Sequence, residues 1–159
     1  MKLSQAIAYV AAQNESIAKR LTHSGLRISI EHPRGTTRLL KDDEGKVVWK
    51  KYMHHDYGFF EGTDGRDGDE VDVMMGPLAN PDDVFIIHMI DKGPDVDERE
   101  DEDKVMLGFP NADAAKVAFH LHYPENFYGG MTVLPMKLFK KRLAHAQKPY
   151  TNRKLNARK

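Results

Sequence analysis

Three aspartates fall within six residues in the segment Asp67-Gly68-Asp69-Glu70-Val71-Asp72-Val73. Asp67 and Asp69 are two apart, so in an extended segment their carboxylates project to the same side. Asp72 joins them only if the chain bends, and Gly68 permits a bend. Clustered carboxylates suit hard divalent cations, which take oxygen ligands and keep several waters. A phosphoanhydride needs such cations for two reasons. They neutralise oxygens that gather charge, and they lower the pKa of a bound water so that it attacks. A calcium EF-hand loop, D-x-[DN]-x-[DN]-G, does not fit. Counted from Asp67, Val71 stands at a ligand position and Asp72 at the glycine position. Taken alone, the segment is equally compatible with an acidic surface turn.

Charge is distributed unevenly behind a formal net charge of zero, 24 basic against 24 acidic residues. Seven of the nine residues from Asp95 to Asp103 are acidic, whereas Asn126 to Lys159 holds nine Lys and Arg and no acid. An acidic pole can collect cations and a basic tail anions. Other candidates carry less. His54-His55-Asp56 lacks a fourth ligand at zinc spacing and reads as a polar strand end. His120 and His122 read as surface or packing residues. Phe59, Phe60, Phe85, Phe109 and Phe119 read as core, and Trp49 as core or barrel wall. With no cysteine there is no disulfide or thiolate metal site, which is compatible with a cytoplasmic protein. No apolar run is long enough to span a membrane, and the N-terminus makes a poor secretory signal.

The elements that must position these groups follow from periodicity. Residues 3 to 21 place Leu3, Ile7, Val10, Ile17 and Leu21 at helical spacing, predicting an amphipathic N-terminal helix within residues 1–22 that Gly25 ends. Leu26 to Glu31 alternates like a half-buried strand. Asp42 to Gly45 reads as a turn and Lys46 to Tyr52 as the returning strand of a hairpin. Further strands are expected at Tyr57 to Phe60, Val71 to Met75, Val84 to Ile90, Lys104 to Phe109 and Met131 to Leu134. Asn111 can cap a helix running to about Tyr123. Pro135 suits the first turn of a final helix from Met136 to about His145, and residues 147–159 read as a loose basic tail. At 159 residues the chain fits one domain. The expected fold is α+β and mainly β: a small OB-like, five-stranded antiparallel barrel with outer helices.

Asp67 to Val73 resembles the signature of family I soluble inorganic pyrophosphatases, D-[small]-D-[P/E]-[apolar]-D-[apolar], at every position. Ten residues before Asp67, Tyr57-Gly58-Phe59-Phe60 is similar to that family's Tyr-Gly-Tyr-Ile strand. Ile28-Ser29-Ile30-Glu31-His32-Pro33 looks like its first-strand segment, in which a glutamate precedes a proline. Asp97 to Lys104, followed by Val105-Met106, resembles its second acidic segment. The match spans roughly residues 27 to 109. Lys104 to Phe109 also looks like a shortened variant found in phage and mobile-element proteins, which would place the chain in a host cytoplasm.

The resemblance implies specific roles. Asp67 and Asp72 would bind metal, Asp72 bridging two ions, and Asp69 would accept the proton of the attacking water. Asp97 and Asp101 or Glu102 would complete the metal set, with Asp103 also adjacent and the choice among the three open. Glu31 would join them. Lys104, Tyr57 and Arg38 would contact phosphate oxygens. A second family arginine has only Lys50 or Lys51 as counterpart, and for a late Tyr-Lys pair Tyr128 is the nearest candidate. The expected activity is hydrolysis of pyrophosphate to two phosphates with Mg²⁺, or Mn²⁺ in its place, in a homo-oligomer. Two rivals stand beside it: a hydrolase of another phosphoanhydride such as a nucleotide, and a non-catalytic nucleic-acid-binding barrel with a relic site and a basic tail.

Overall fold

The computed structural model describes residues 17–63, 70–91 and 99–157, with the backbone alone at 40, 91, 99–101 and 147–157. Strands β1 (Lys19–His23) and β2 (Leu26–His32) form a hairpin around Ser24 and Gly25. Both turn residues have positive φ, 53° and 77°. That is the backbone a two-residue hairpin turn needs to match strand twist. β3 (Thr37–Lys41) and β4 (Val47–Tyr52) pair with each other in a separate two-stranded sheet. β5 (Asp56–Phe60), β6 (Asp72–Met75), β7 (Asp83–Asp91), β8 (Arg99–Leu107) and β9 (Tyr128–Pro135) complete a seven-stranded sheet with β1 and β2. Its order is β1-β2-β5-β6-β8-β7-β9. All its pairings are antiparallel except β6 with β8. β5 approaches β2 so closely at Gly58 that a Cβ there would lie 1.8 Å from the Ser29 carbonyl oxygen, so only glycine fits.

The sheet is covered on both faces. Helix α1 (Ala112–His120) starts at Asn111, whose side chain accepts the Ala114 N–H at 2.8 Å. This satisfies one of the donors that every helix start leaves open. Ala115, Ala118 and Phe119 pack it onto Met74, Phe85, Ile87 and Met106. On the opposite face Phe139 and Leu143 of helix α2 (Met136–Ala157) pack on Ile28, Phe60, Val73, Val105 and Leu107. Strand alternation sorts the side chains: Val73 faces α2 and its neighbour Met74 faces α1. Phe60, Phe85, Phe109 and Phe119 are core as expected, while Phe59 is only half-buried.

Several expectations change. Among the described residues the five-stranded barrel is replaced by an open seven-stranded sheet with β1 and β9 at its ends. The parallel β6–β8 pair, with β7 inserted beyond it, extends the sheet past what local alternation indicates. The tail end of the predicted N-terminal helix is strand β1; Leu21 suits either period, and pairing with β2 decides. Residues 1–16 lie outside the described residues. The final helix runs past His145 to Ala157. The strand expected from Lys104 begins earlier, within the acidic run: residues 99–103 belong to β8, paired with β7. No helix among the described residues is long and apolar enough to cross a membrane.

His122 ties the end of α1 to the strand region. Its ring donates from Nδ1 to the Ala118 carbonyl (2.7 Å) and accepts the His54 N–H at Nε2 (3.0 Å). Burial, with His54, His55 and Lys51 nearby, lowers its pKa to about 4 despite that hydrogen bond. The folded chain therefore binds fewer protons here than the unfolded chain between pH 4 and 6.5. The corresponding stability is present above pH 6.5 and lost as pH falls toward 4. His122→Ala is expected to cost about 1–3 kcal/mol at pH 7.5 by leaving both backbone groups unpaired. It should also shrink the stability drop between pH 7.5 and 5 in urea unfolding. An unchanged drop would remove His122 from the acid response.

Candidate active site

Sheet register brings three of the expected residues into one hydrogen-bonded node. The parallel ladder sets Asp72 on β6 beside Lys104 on β8, and the antiparallel ladder sets Tyr57 on β5 diagonal to Asp72. Lys104 Nζ donates to Asp72 Oδ2 at 2.7 Å and to the Tyr57 hydroxyl at 2.6 Å. The Tyr57 hydroxyl in turn donates to Asp72 Oδ2 at 2.9 Å. Lys104 Nζ also lies 2.9 Å from Glu102 Oε1, two residues back on the same face of β8.

The electrostatics follow from burial and pairing. Lys104 is 4% exposed. Burial works against its charge, but the Tyr123 and Tyr57 oxygens and the Asp72 and Glu102 carboxylates outweigh that, and it stays well above the usual lysine value. Burial and Asp72 push the Tyr57 phenol well above its ordinary value, so it remains a donor. Asp72 is lowered: burial acts to raise it, and Lys104 and the Tyr57 hydrogen bond prevail. Glu102 is raised to about 7 by burial, with Lys104 opposing and Asp72 adding to it. Glu31 is likewise raised to about 7, by burial and Asp72.

These groups line a cleft of about 330 Å³ closed on its far side by the β3–β4 hairpin. The hairpin pairs Arg38 with Lys51 across its two strands, and both side chains enter the cleft. Arg38 sits over the Tyr57 and Trp49 rings at 5.3 and 5.4 Å, and its buried Nε has no partner among the described residues. A buried, charged donor left open is costly, so it marks where an anion fits. Lys51 lies 3.8 Å from the Tyr123 ring centroid and 5.0 Å from that of Trp49. Burial, then Arg38 and Lys104, lower its pKa to about 8.

Of the expected residues, Tyr57, Asp72, Glu102, Lys104, Arg38 and Glu31 meet in this one cleft. Asp67, Asp69 and Asp97 lie outside the described residues, as does the Asp101 side chain. Asp103 points to the other face of β8, where it meets His88 rather than the cleft. Sequence reasoning missed three residues. His32 lines the cleft beside Glu31, its pKa lowered to about 4 by burial and Arg38. Tyr123 lines the cleft where Tyr128 does not, and Trp49 is a half-exposed cleft wall rather than core. Adjacency to Glu31 was the one available signal for His32. Nothing local marked Tyr123 or Trp49, because both arrive by long-range folding.

Among the described residues no group of three His, Asp or Glu side chains is arranged to hold a metal. The donor set nonetheless fits a hard cation. Glu31, Asp72 and Glu102 are oxygen donors in one cleft, and burial, with the Asp72 charge beside them, raises the pKa of both glutamates to about 7. A divalent cation relieves that conflict.

A cleft that opposes three carboxylates to three cations on a mostly β frame has the make-up of a binding site for a small anion. The inorganic pyrophosphatase family model matches residues 9–144, and the chain belongs to that family. Its reaction is the hydrolysis of inorganic pyrophosphate. Two solved structures are similar. The inorganic pyrophosphatase of Helicobacter pylori is 18% identical with a TM-score of 0.46, the match covering 78% of this chain and 92% of that one. The inorganic pyrophosphatase of Neisseria gonorrhoeae is 15% identical with a TM-score of 0.44, covering 76% and 87%. At that distance they place no residue, and the family assignment rests on the family match. No individually curated protein matches.

The node makes a stability prediction. Lys104→Met strands Asp72 beside Glu102 without a cation and is expected to cost about 3–5 kcal/mol. Tyr57→Phe leaves the ion pair in place and should cost about 1–2 kcal/mol. Urea unfolding at pH 7.5 measures both, and equal costs would contradict the central position given to Lys104.

Proposed function

We propose that hydrolysis of pyrophosphate takes place in this cleft and depends on Mg²⁺. The observation that carries the reading is the convergence of Asp72, Tyr57, Lys104 and Glu102 with Arg38 and Lys51 around one small cavity. Glu31, Asp72 and Glu102, with Asp67 and Asp97, would hold the metal. When bound, Mg²⁺ supplies charge neutralisation and acidifies water. Arg38, Lys51 and Lys104 bind and orient the phosphate oxygens, and Arg38 Nε gains its missing acceptor. Tyr57 and Lys104 fix the Asp72 carboxylate so that little reorganisation is needed on binding. Asp69 takes the proton of the attacking water. Burial of Tyr57 and Lys104 keeps the floor of the cleft dry, which strengthens each of these charges. The cleft volume is at the small end for ligand sites, which supports inorganic pyrophosphate over a nucleotide as the occupant.

The test is phosphate release from pyrophosphate with MgCl₂ and with NaCl at matched ionic strength. Turnover is expected with MgCl₂ alone, and Asp69→Asn should lower it by about 10²- to 10⁴-fold with metal binding largely kept. Release that is equal in NaCl and MgCl₂ would refute metal dependence. Near-native turnover by Asp69→Asn would remove that residue from the mechanism. Side-by-side assays with nucleoside triphosphates decide between the two phosphoanhydride substrates.

A further inference from the structure

Strand alternation alone puts His32 on the face of β2 that Ile28 and Ile30 bury beneath α2. The side chain lines the pyrophosphate cleft instead, together with that of its neighbour Glu31. The cause is a bulge. Ile30 pairs with Gly58 and His32 with Tyr57, so Glu31 is an extra residue in β2 with no partner on β5. A bulge re-aims the side chains around it, and here two consecutive polar residues turn to the same side.

The surroundings of the ring say what it can hold. The His32 and Tyr57 rings lie 6.3 Å apart, and the Arg38 guanidinium lies 5.3 Å from the same Tyr57 ring. Imidazole and guanidinium therefore border the same part of the cleft. After burial, Arg38 is the strongest influence on the charge of the imidazole, ahead of Asp72. Neither ring nitrogen has a hydrogen-bond partner among the described residues. A metal ion placed here meets the Arg38 charge, whereas an anion is drawn to both groups. Cations already crowd the cleft: burial, then Arg38 and Lys104, hold Lys51 down to about 8. A neutral N–H donor adds a hydrogen bond to an anion without adding to that repulsion.

We propose that His32 is a substrate-contacting residue whose neutral imidazole donates to the phosphoryl group that Arg38 Nε also holds. The assignment rests on the cleft being the pyrophosphate site. It adds to the charged groups one directional, uncharged donor, set in place by the bulge at Glu31.

Trp49, the single tryptophan, lines the cleft and reports binding of imidodiphosphate by fluorescence at fixed Mg²⁺. His32→Leu keeps the bulk and removes the donor, and is expected to raise the imidodiphosphate Kd about tenfold. His32→Asn and His32→Gln place a neutral N–H near the Nδ1 and Nε2 positions. One of the two is expected to restore Kd to within about threefold of wild type. Metal binding without the anion, followed by the electron paramagnetic resonance of Mn²⁺, should be equal in wild type and His32→Leu. Urea midpoints establish that the variants are folded, and His32→Phe replaces His32→Leu in the comparison if the latter is not. A Mn²⁺ affinity that falls along with the imidodiphosphate affinity would make His32 a metal ligand and overturn the proposal. Failure of both amide variants to restore binding would overturn it as well, because ring shape is then the cause. Wild type that binds no imidodiphosphate would sink the pyrophosphate reading as a whole. Wild-type binding that the folded donor-free variant retains in full sinks this proposal alone.

Discussion

An ammonium group buried in the middle of a sheet has to be paired, and the pairing of Lys104 organises the structure around it. The residue is 4% exposed, and its charge is met by Asp72, Glu102 and the Tyr57 hydroxyl. Leaving any of these out would expose the chain to the cost of a lone buried charge, several kcal/mol even after relaxation. Three strands must therefore keep register. β6 must run parallel to β8 to set Asp72 beside Lys104, and β5 must lie close enough to β2 and β6 to present Tyr57. Gly58, where no Cβ fits, is the sequence feature that permits that approach.

The same arrangement leaves charge unbalanced in a useful way. The node satisfies Asp72 and Lys104, but Glu31 and Glu102 remain near neutrality through burial, and Arg38 keeps an open buried donor. Such a cleft is stable as it stands, yet it has room for cations against the carboxylates and for an anion against the arginine and lysines. Pyrophosphate with a divalent metal meets both needs at once. The hairpin that carries Arg38 and Lys51 is a sheet of its own, and the cation–ring contacts of Arg38 with Tyr57 and of Lys51 with Tyr123 join its charged face to the rest of the cleft.

Much of this was legible in local pattern. The alternation of Leu26 to Glu31, the turn at Asp42 to Gly45 and the Asn111 cap each point to what the fold does with them, and of the three clustered aspartates Asp72 is seen to line the cleft. Pairing across long sequence separations was not legible. Nothing in the segment Asp72 to Met75 says that its partner is 32 residues away and parallel, and without that pairing a barrel is the simpler closure. The acidic residues 99–103 read as a cation-collecting pole because their charge is visible and their partner strand β7 is not. Trp49 and Tyr123 look like core by type, and only the folded hairpin and the segment after α1 bring them to the cleft wall.

Asp72 is a structural acceptor for Lys104 and Tyr57 and the proposed metal ligand at once, and Asp72→Asn separates the two roles. The substitution keeps the shape and the hydrogen bonds to Lys104 and Tyr57 but removes the charge. Phosphate release from pyrophosphate with saturating Mg²⁺, measured on wild type and on Asp72→Asn of verified fold, is the deciding measurement. A loss of about 10²-fold or more in kcat/KM is expected from a missing charge at the metals. Wild-type turnover by the folded Asp72→Asn chain would contradict the placement of the reaction in this cleft.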